Sequence, residues 1–115
     1  MSGNGVYKSR NGDSYNGLWN NGTRNGMGNY YFSNGNFYQG NWKDDKKEGR
    51  GKFTYANGDI FEGDWLNDMP NGKGTFTSHI GDEYNGDWRN GKMDGTGVYR
   101  VETICSHDPS LAYVD

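Results

Sequence analysis

Cysteine, proline and long apolar runs are nearly absent from this sequence. Its 115 residues include one cysteine, Cys105, and two prolines, so an intrachain disulfide framework is excluded. No apolar run approaches the roughly 20 residues that a membrane-spanning helix needs, and we expect no signal peptide at the N-terminus. Only 30% of the residues are hydrophobic and the mean hydropathy is −1.14, which alone would be typical of a disordered chain.

Clustered positive charge is also missing. The net charge is −3, and acidic and basic residues are mixed along the chain. A nucleic-acid interface needs a clustered basic face, so we expect no nucleic-acid partner. Binding to anionic phospholipid usually needs about 4–8 clustered Lys or Arg residues. The densest basic group, Lys43, Lys46 and Lys47, is interleaved with acidic residues, so an adaptor that contacts membranes is the alternative function and not the favoured one.

Residues with catalytic or metal-binding chemistry are few. His79 falls in a predicted turn, and Cys105, His107 and Asp108 fall in the C-terminal tail. These residues lack the orienting group and oxyanion site that a nucleophile needs, and they lack the fourth ligand of a zinc site. The Gly-x-Gly elements precede strands and not a helix, unlike phosphate-binding loops. We therefore predict a protein that is not an enzyme and has no catalytic residues, metal or cofactor.

Glycine and aromatic residues are abundant, and they recur every 23 residues. The chain contains 20 glycines, and 16% of its residues are aromatic. Three aromatic positions repeat four times each in the same register: Tyr15, Tyr38, Phe61 and Tyr84; Trp19, Trp42, Trp65 and Trp88; Tyr30, Phe53, Phe76 and Tyr99. The repeat divides residues 1–101 into a half repeat, 3–14, followed by units 1 to 4, which are residues 15–37, 38–60, 61–83 and 84–101. Residues 102–115 form a tail outside the repeat.

Alternation of residue types within each unit predicts β-hairpins. Tyr38, Gly40 and Trp42 alternate with polar residues, which is typical of a strand with one aromatic face and one polar face. The dipeptide at residues 34–35, Asn-Gly, and its equivalents predict tight turns with positive φ. The connections after each tryptophan, such as residues 43–48, are predicted to be longer polar loops. One strand from the half repeat and two from each unit give nine strands.

The glycines have a predicted role in packing. A single sheet has no second layer, so its large rings must lie over neighbouring strand positions that carry no side chain. Such rings, about 150–250 Å² each, then supply most of the buried apolar area. The fold class that follows is all-β: an elongated single-layer antiparallel sheet of stacked 23-residue β-hairpin repeats, with open ends and an aromatic groove.

The unit Tyr-x-Gly-x-Trp, Gly-x-Gly-x-aromatic and Asn-Gly resembles the MORN (membrane occupation and recognition nexus) repeat. The resemblance covers residues 3 to 101 and four copies of the motif. Proteins of this family are scaffolds and adaptors, and the unit is similar to modules in junctophilins, plant phosphatidylinositol phosphate kinases, radial spoke head proteins and basal cytoskeletal complexes of protists. The resemblance implies a cytoplasmic protein of a cytoskeletal assembly, or of the axoneme of a cilium or flagellum.

The resemblance also implies where a partner would bind. In several members of the family the aromatic groove holds a helix or an extended segment of a partner protein. We therefore expect a non-catalytic scaffold or adaptor whose protein partner lies in the groove. By position, the partner-binding groove would comprise Tyr15, Trp19, Tyr30, Tyr38, Trp42, Phe53, Phe61, Trp65, Phe76, Tyr84, Trp88 and Tyr99.

Two further expectations concern the departures from the repeat and the ends of the sheet. Asp45 and Asp68 stand where the family often has glycine, so we expect the middle connections to differ in shape from the outer ones. The end strands, near residues 3–7 and 95–101, would be open edges that allow self-association with another copy of the chain. We favour the tail, residues 102–115, as a cap on the second edge over its use as a docking peptide.

Overall fold

Within residues 2–101, nine antiparallel strands form one open sheet in which neighbours in sequence are neighbours in space. The structure is a computed structural model and describes residues 2–101. The strands are β1 (Gly3–Lys8), β2 (Ser14–Asn20), β3 (Thr23–Tyr31), β4 (Phe37–Lys43), β5 (Lys46–Thr54), β6 (Ile60–Leu66), β7 (Met69–Thr77), β8 (Glu83–Arg89) and β9 (Lys92–Arg100). The predicted fold class is confirmed. The described range has no helix of the length and apolarity that crossing a membrane requires.

The sheet is elongated, and its contacts are local. Its principal extents are 59, 29 and 17 Å. Among the described strands, each makes substantial contacts only with the strand before it and the strand after it. In such repeat architectures, stability is approximately a sum of terms for single repeats and for the interfaces between adjacent repeats. A defect in a middle unit is therefore expected to uncouple the two ends of the sheet.

The two kinds of turn are the reverse of the prediction. β2 and β3 are joined by only two residues, Asn21 and Gly22, with φ angles of 51° and 81°, as a type I′ hairpin turn requires. At the predicted tight turn, Gly35 alone has positive φ, and its N–H donates to the carbonyl of Phe32 at 3.0 Å. This is a three-residue loop, a type I turn followed by a left-handed glycine. The predicted longer loops are therefore the shorter ones.

The prediction that Asp45 and Asp68 change the shape of their turns is wrong. Their φ angles are 68° and 70°, close to the 81° of Gly22 and the 83° of Gly91 in the outer turns. Aspartate adopts the left-handed conformation more readily than most residues because its short side chain can hydrogen-bond locally. All four units therefore have a two-residue turn after the tryptophan strand.

Each unit contains a β-bulge beside its tryptophan. Gly40 pairs with Gly51, but Trp42 pairs with Lys47, so β5 carries extra residues at this point. The bulge includes Gly49, whose φ of 92° suits glycine because it has no Cβ. The same shift occurs in the other three units. It defines one position in each unit directly across from the tryptophan, here called the Trp-facing position: Arg24, Lys47, Pro70 and Met93.

The core consists of aromatic rings that lie over glycines, as predicted. Tyr38 is completely buried, and a Cβ added at Gly51 would lie 2.0 Å from its hydroxyl oxygen. In unit 3 a Cβ at Gly74 would lie 2.4 Å from Cζ of Phe61. No side chain fits between these rings and the strand beneath them. The absence of a side chain at these glycines is therefore what allows a single layer to bury large rings.

Hydrogen bonds hold both the tryptophan rings and the tyrosine rings in place. The indole Nε1 of Trp42 donates to the carbonyl of Gly28 in the preceding unit at 3.2 Å, and Trp65 and Trp88 repeat this bond at 3.0 Å. The hydroxyl of Tyr38 donates to the carbonyl of Asn41 at 2.9 Å. The tryptophan bonds join consecutive units, since each indole and its acceptor belong to different units. Buried indole N–H groups need such an acceptor to avoid an uncompensated desolvation cost.

Along one rim of the sheet, side chains accept hydrogen bonds from backbone N–H groups of the next three-residue turn. Oδ1 of Asp13 accepts from Ser33, and Oδ1 of Asp59 accepts from His79, both at 2.8 Å. Asn36 makes the equivalent bond with an uncharged amide. Hydrogen bonds from His79, through its side chain and then its backbone, hold the pKa of Asp59 below the usual 3.8. The backbone bond from Ser33 likewise lowers the pKa of Asp13.

Acid is expected to weaken this rim. Because the folded-state pKa values of Asp13 and Asp59 are lowered, their contribution is complete above about pH 4 and is lost as the pH falls through the folded-state values. The free energy of unfolding, measured in urea at a series of pH values, should be flat from pH 7 to about 4 and should then decrease. Asp59→Asn copies the amide of Asn36, so it should keep the backbone bond. In this variant the free energy of unfolding should decrease less steeply at acid pH, and this acid part of the curve is here called the acid limb. An unchanged acid limb in that variant would contradict this assignment.

Candidate functional site

The twelve residues predicted to form the groove lie together on one side of the sheet, here called the aromatic face. Seven of them are buried: Tyr15, Tyr38, Trp42, Phe53, Phe61, Trp65 and Tyr84. Four are half-buried and pack on this core: Trp19, Tyr30, Phe76 and Trp88. Tyr99, in the last strand, is exposed. Most of the predicted groove residues therefore form the core of the sheet itself. Their exposed ring surface belongs to Tyr99 and, in part, to the four half-buried residues.

The rings of the aromatic face form a continuous edge-to-face network. The Tyr38 ring lies 5.2 Å from the Trp42 ring and 5.3 Å from the Trp65 ring, with interplanar angles of 84° in both cases. Edge-to-face pairs at such distances add about 0.5–1.5 kcal/mol beyond the area they bury. In units 1 to 3 the tyrosine or phenylalanine that opens the unit is thus held between the tryptophan of its own unit and that of the next. In unit 4, Tyr84 packs against the tryptophan of its own unit, Trp88.

In unit 1 the Trp-facing residue covers the rings with a charged side chain. The Arg24 guanidinium carbon lies 4.5 Å from the centroid of the Trp42 ring and 5.1 Å from that of Tyr30. Nε of Arg24 donates to Oδ1 of Asp45 at 3.0 Å, and the same oxygen accepts the backbone N–H of Arg24 at 2.8 Å. Asp45 belongs to the turn of the next unit, so this contact also joins two units.

Unit 2 has the same arrangement with a lysine. Nζ of Lys47 lies 5.5 Å from the Trp65 ring centroid and 5.6 Å from that of Phe53. Asp68 accepts the backbone N–H of Lys47 at 2.8 Å and lies 3.6 Å from Nζ. Burial lowers the pKa of Lys47, and the Asp68 carboxylate opposes that shift. Only 13% of the Lys47 side chain is exposed, so it cannot join Lys43 and Lys46 in a basic surface patch.

Comparison with known protein families identifies the repeat. The model of the MORN repeat family matches five consecutive segments, residues 1–14, 15–37, 38–60, 61–83 and 84–100. The chain belongs to the MORN repeat family. MORN repeats are generally modules for interaction with proteins or membranes, and the family is generally non-enzymatic. No curated protein matches the chain closely enough to count as a relative.

The third MORN unit lacks the charged cover. Its Trp-facing residue is Pro70, and the turn residue that would supply the carboxylate is Gly91. The Gly91 N–H still donates to the carbonyl of Pro70 at 2.9 Å, so the backbone geometry of the junction is retained. Without the two side chains, a hollow of about 260 Å³ remains, lined by Tyr55, Phe61, Pro70, Phe76, Trp88, Gly91 and Met93. This set is called the unit-3 hollow.

A second hollow, of about 430 Å³, lies at the opposite end of the MORN sheet. It is bordered by Tyr7 and Trp19 together with the ion pair of Arg24 and Asp45. By the 23-residue step, its Trp-facing position would be residue 1, which lies outside the described residues. The lining of the unit-3 hollow, by contrast, includes no charged side chain.

Phe32, Tyr55 and the Trp-facing residues were not among the predicted groove residues. Phe32 lies 4.5 Å from the Tyr30 ring, and Tyr55 lies 4.7 Å from the Phe53 ring, which extends the aromatic face by one position in units 1 and 2. The signal was present, since residues 32 and 55 are also 23 positions apart. The Trp-facing positions keep the same step, but their residue types differ so much that no shared motif marks them.

Of the residues considered for catalysis or metal binding, only His79 belongs to the part of the chain that the structure describes. His79 lies on the rim, where its Nδ1 is 2.9 Å from Oδ1 of Asp59. Across residues 2–101, no three His, Cys, Asp or Glu side chains are grouped as a metal site would require. Cys105, His107 and Asp108 lie outside the described residues, as does the whole tail, 102–115, whose predicted capping role stays a prediction.

Proposed function

We propose that this MORN chain is a non-catalytic adaptor that binds a helical or extended segment of a partner protein along its aromatic face. The observation that carries the proposal is the uneven cover of that face. Units 1 and 2 are covered by Arg24 and Lys47, whereas Tyr55, Met93 and Tyr99 are exposed around the unit-3 hollow and the last strand.

The residue types of this open region suit protein recognition. Tyrosine and tryptophan give large contact areas at low cost in conformational entropy, and they are enriched among residues that dominate binding energy. Methionine adapts its shape to different partners. Contiguous exposed apolar surface on a soluble domain commonly marks an interaction site. A peptide laid across these side chains would bury apolar area that the single layer leaves open.

Membrane contact is less favoured by the charges. Lys47 is paired with Asp68 inside the aromatic face, which leaves Lys43 and Lys46 near the turn between β4 and β5. Two lysines beside acidic neighbours fall short of the roughly 4–8 basic residues that anionic lipid binding usually needs. Binding to anionic phospholipid vesicles is therefore treated as an outcome of the test and not as the proposal.

Substitutions on the two faces of the sheet test the proposal. Met93 and Tyr99 of the aromatic face are 56% and 60% exposed, and Met27 and Val98 of the opposite face are 54% and 63% exposed. Met93→Ser with Tyr99→Ser should reduce affinity for random peptides selected on the wild type by about tenfold or more. Met27→Ser with Val98→Ser should leave affinity nearly unchanged.

The controls separate binding from folding and peptide from lipid. Circular dichroism must show both double variants folded before affinity is compared. Equal losses in the two pairs would contradict the proposal, as would failure to select any peptide that binds the wild type. Flotation of the wild type with anionic phospholipid vesicles, without peptide binding, would instead favour the membrane adaptor.

The cellular setting is part of the same proposal. We infer an association with the cytoskeleton, including the axoneme of a cilium or flagellum, from the family resemblance alone. Fluorescence imaging of the tagged chain in the cells that make it tests this: co-localisation with microtubule structures supports the setting, and an even cytoplasmic signal contradicts it.

A further inference from the structure

The Trp-facing positions of units 1 to 3 differ in whether their side chains cover the aromatic rings. Each lies directly across from its tryptophan, at Arg24, Lys47 and Pro70. In the first two units the side chain is long, lies among the rings, and is held by a carboxylate from the following turn. These two side chains belong to the protein itself, and they fill a space that a ligand side chain could otherwise occupy.

Unit 3 has neither the long charged side chain nor the carboxylate that would hold it. Pro70 has neither a charge nor a backbone N–H, so a carboxylate at position 91 would have nothing there to bind. Gly91 supplies none. The rings nearest to the space are also less polar, since Phe61 and Phe76 stand where unit 1 has Tyr15 and Tyr30. The result is an open space whose walls carry no side-chain hydroxyl except that of Tyr55 at its border.

We propose that the unit-3 hollow is an anchor pocket for one uncharged apolar side chain of the partner segment. This side chain would take the place in unit 3 that Arg24 and Lys47 take in units 1 and 2. The inference rests on the proposed function, and it adds the position of the anchor and its chemistry. It predicts a leucine, methionine, phenylalanine or tryptophan in the partner, and not a lysine or arginine.

Charge decides against a cationic anchor. In units 1 and 2 the cation is accompanied by Asp45 or Asp68 at 3.0 and 3.6 Å. A cation in the unit-3 hollow would be desolvated among rings with no carboxylate at Gly91, and an unpaired buried charge is strongly unfavourable. An apolar side chain carries no such cost. It would also cover the exposed part of Met93, whose flexible thioether can adjust to the shape of the ligand.

A variant that fills the pocket tests the proposal without removing any core ring. Pro70→Lys combined with Gly91→Asp copies the arrangement of Lys47 and Asp68. The site has room, because a Cβ at Gly91 would meet only Cδ of Pro70, at 4.0 Å, and its φ of 83° is close to the 70° of Asp68. We expect a folded protein whose affinity for peptides selected on the wild type is lower by about tenfold or more.

A reciprocal variant is the matched control. Lys47→Ala with Asp68→Gly removes the cover of unit 2 and changes no residue that lines the unit-3 hollow, so affinity for the same peptides should stay within about twofold. Random peptides displayed on phage are the probe, and their aligned sequences give a second readout. An invariant apolar position supports an apolar anchor, whereas an invariant lysine or arginine at that position overturns it.

The outcomes distinguish this inference from the proposed function. If the filled variant is folded and binds as well as the wild type, while Met93→Ser with Tyr99→Ser binds weakly, the aromatic face binds peptides but the anchor pocket is wrong. If no selected peptide binds the wild type, both fail. If the filled variant unfolds, Gly91→Asp alone is measured, since its carboxylate borders the same space; undiminished affinity in that variant overturns the inference.

Discussion

Replacing Gly51 with alanine is expected to destabilise the sheet by about 3 kcal/mol, at the upper end of the cost of overpacking. The new Cβ would lie 2.0 Å from the hydroxyl oxygen of Tyr38 and 2.4 Å from its Cζ. Tyr38 is completely buried between two tryptophans, so its ring cannot move aside without breaking the network. A fall in the midpoint of urea denaturation, followed by circular dichroism, measures the effect.

The neighbouring residue provides the control for this prediction. Lys52 is exposed on the opposite face of the same strand, and Lys52→Ala should change stability by no more than about 0.5 kcal/mol. If Gly51→Ala were tolerated as well as Lys52→Ala, the close approach of ring and strand would not be the basis of this core. Gly74→Ala should behave like Gly51→Ala, because Phe61 lies over it in the same way.

Replacing Trp65 with alanine is expected to cost about 3–5 kcal/mol, the range for removing a large buried aromatic side chain. Trp65 is buried, packs edge to face against Tyr38 at 5.3 Å and Phe61 at 5.4 Å, and donates its indole N–H to Gly51. The substitution would therefore remove the ring contacts of Tyr38 and Phe53 with unit 3, although the pairing of β5 with β6 would remain. Thermal unfolding followed by tryptophan fluorescence should show a lower midpoint and a broader transition, because the two ends lose their coupling.

The end of the sheet gives a comparison for that loss. Trp19 is only half-buried and contacts rings of the half repeat and unit 1, so Trp19→Ala should be milder than Trp65→Ala. Equal losses at the two positions would argue against a sheet held together by interfaces between adjacent units. For the same reason, tryptophan substitutions are unsuitable tests of ligand binding, since a loss of binding would report a loss of folding.

The strands and the packing of the rings could be predicted because alternation is encoded at every position of a unit. The turns could not be predicted in the same way. Asn21-Gly22 and Asn34-Gly35 are the same dipeptide, yet only the first has positive φ at both residues. The dipeptide allows a left-handed residue but does not set the length of the loop. That length depends on where strand pairing ends, which involves residues far from the turn.

The Trp-facing residues show why the site was predicted only in part. The aromatic positions repeat with nearly constant chemistry, so they indicate one face of the sheet. Lys47 was grouped with Lys43 and Lys46 by composition, although pairing places it opposite Trp42. A lysine becomes part of an aromatic core when a carboxylate such as Asp68 approaches it from another unit, and that approach depends on three-dimensional pairing.

Because the strands follow one another in sequence order, the equivalent side chains of successive units are evenly spaced along the aromatic face. Adjacent strands are about 4.8 Å apart, so successive tryptophans on the aromatic face are separated by about 10 Å. A helix along the face rises about 1.5 Å per residue and would present equivalent side chains roughly every six to seven residues. An extended segment, at about 3.3 Å per residue, would do so about every three. The periodicity of a partner's apolar residues would therefore reveal which of the two conformations it adopts when bound.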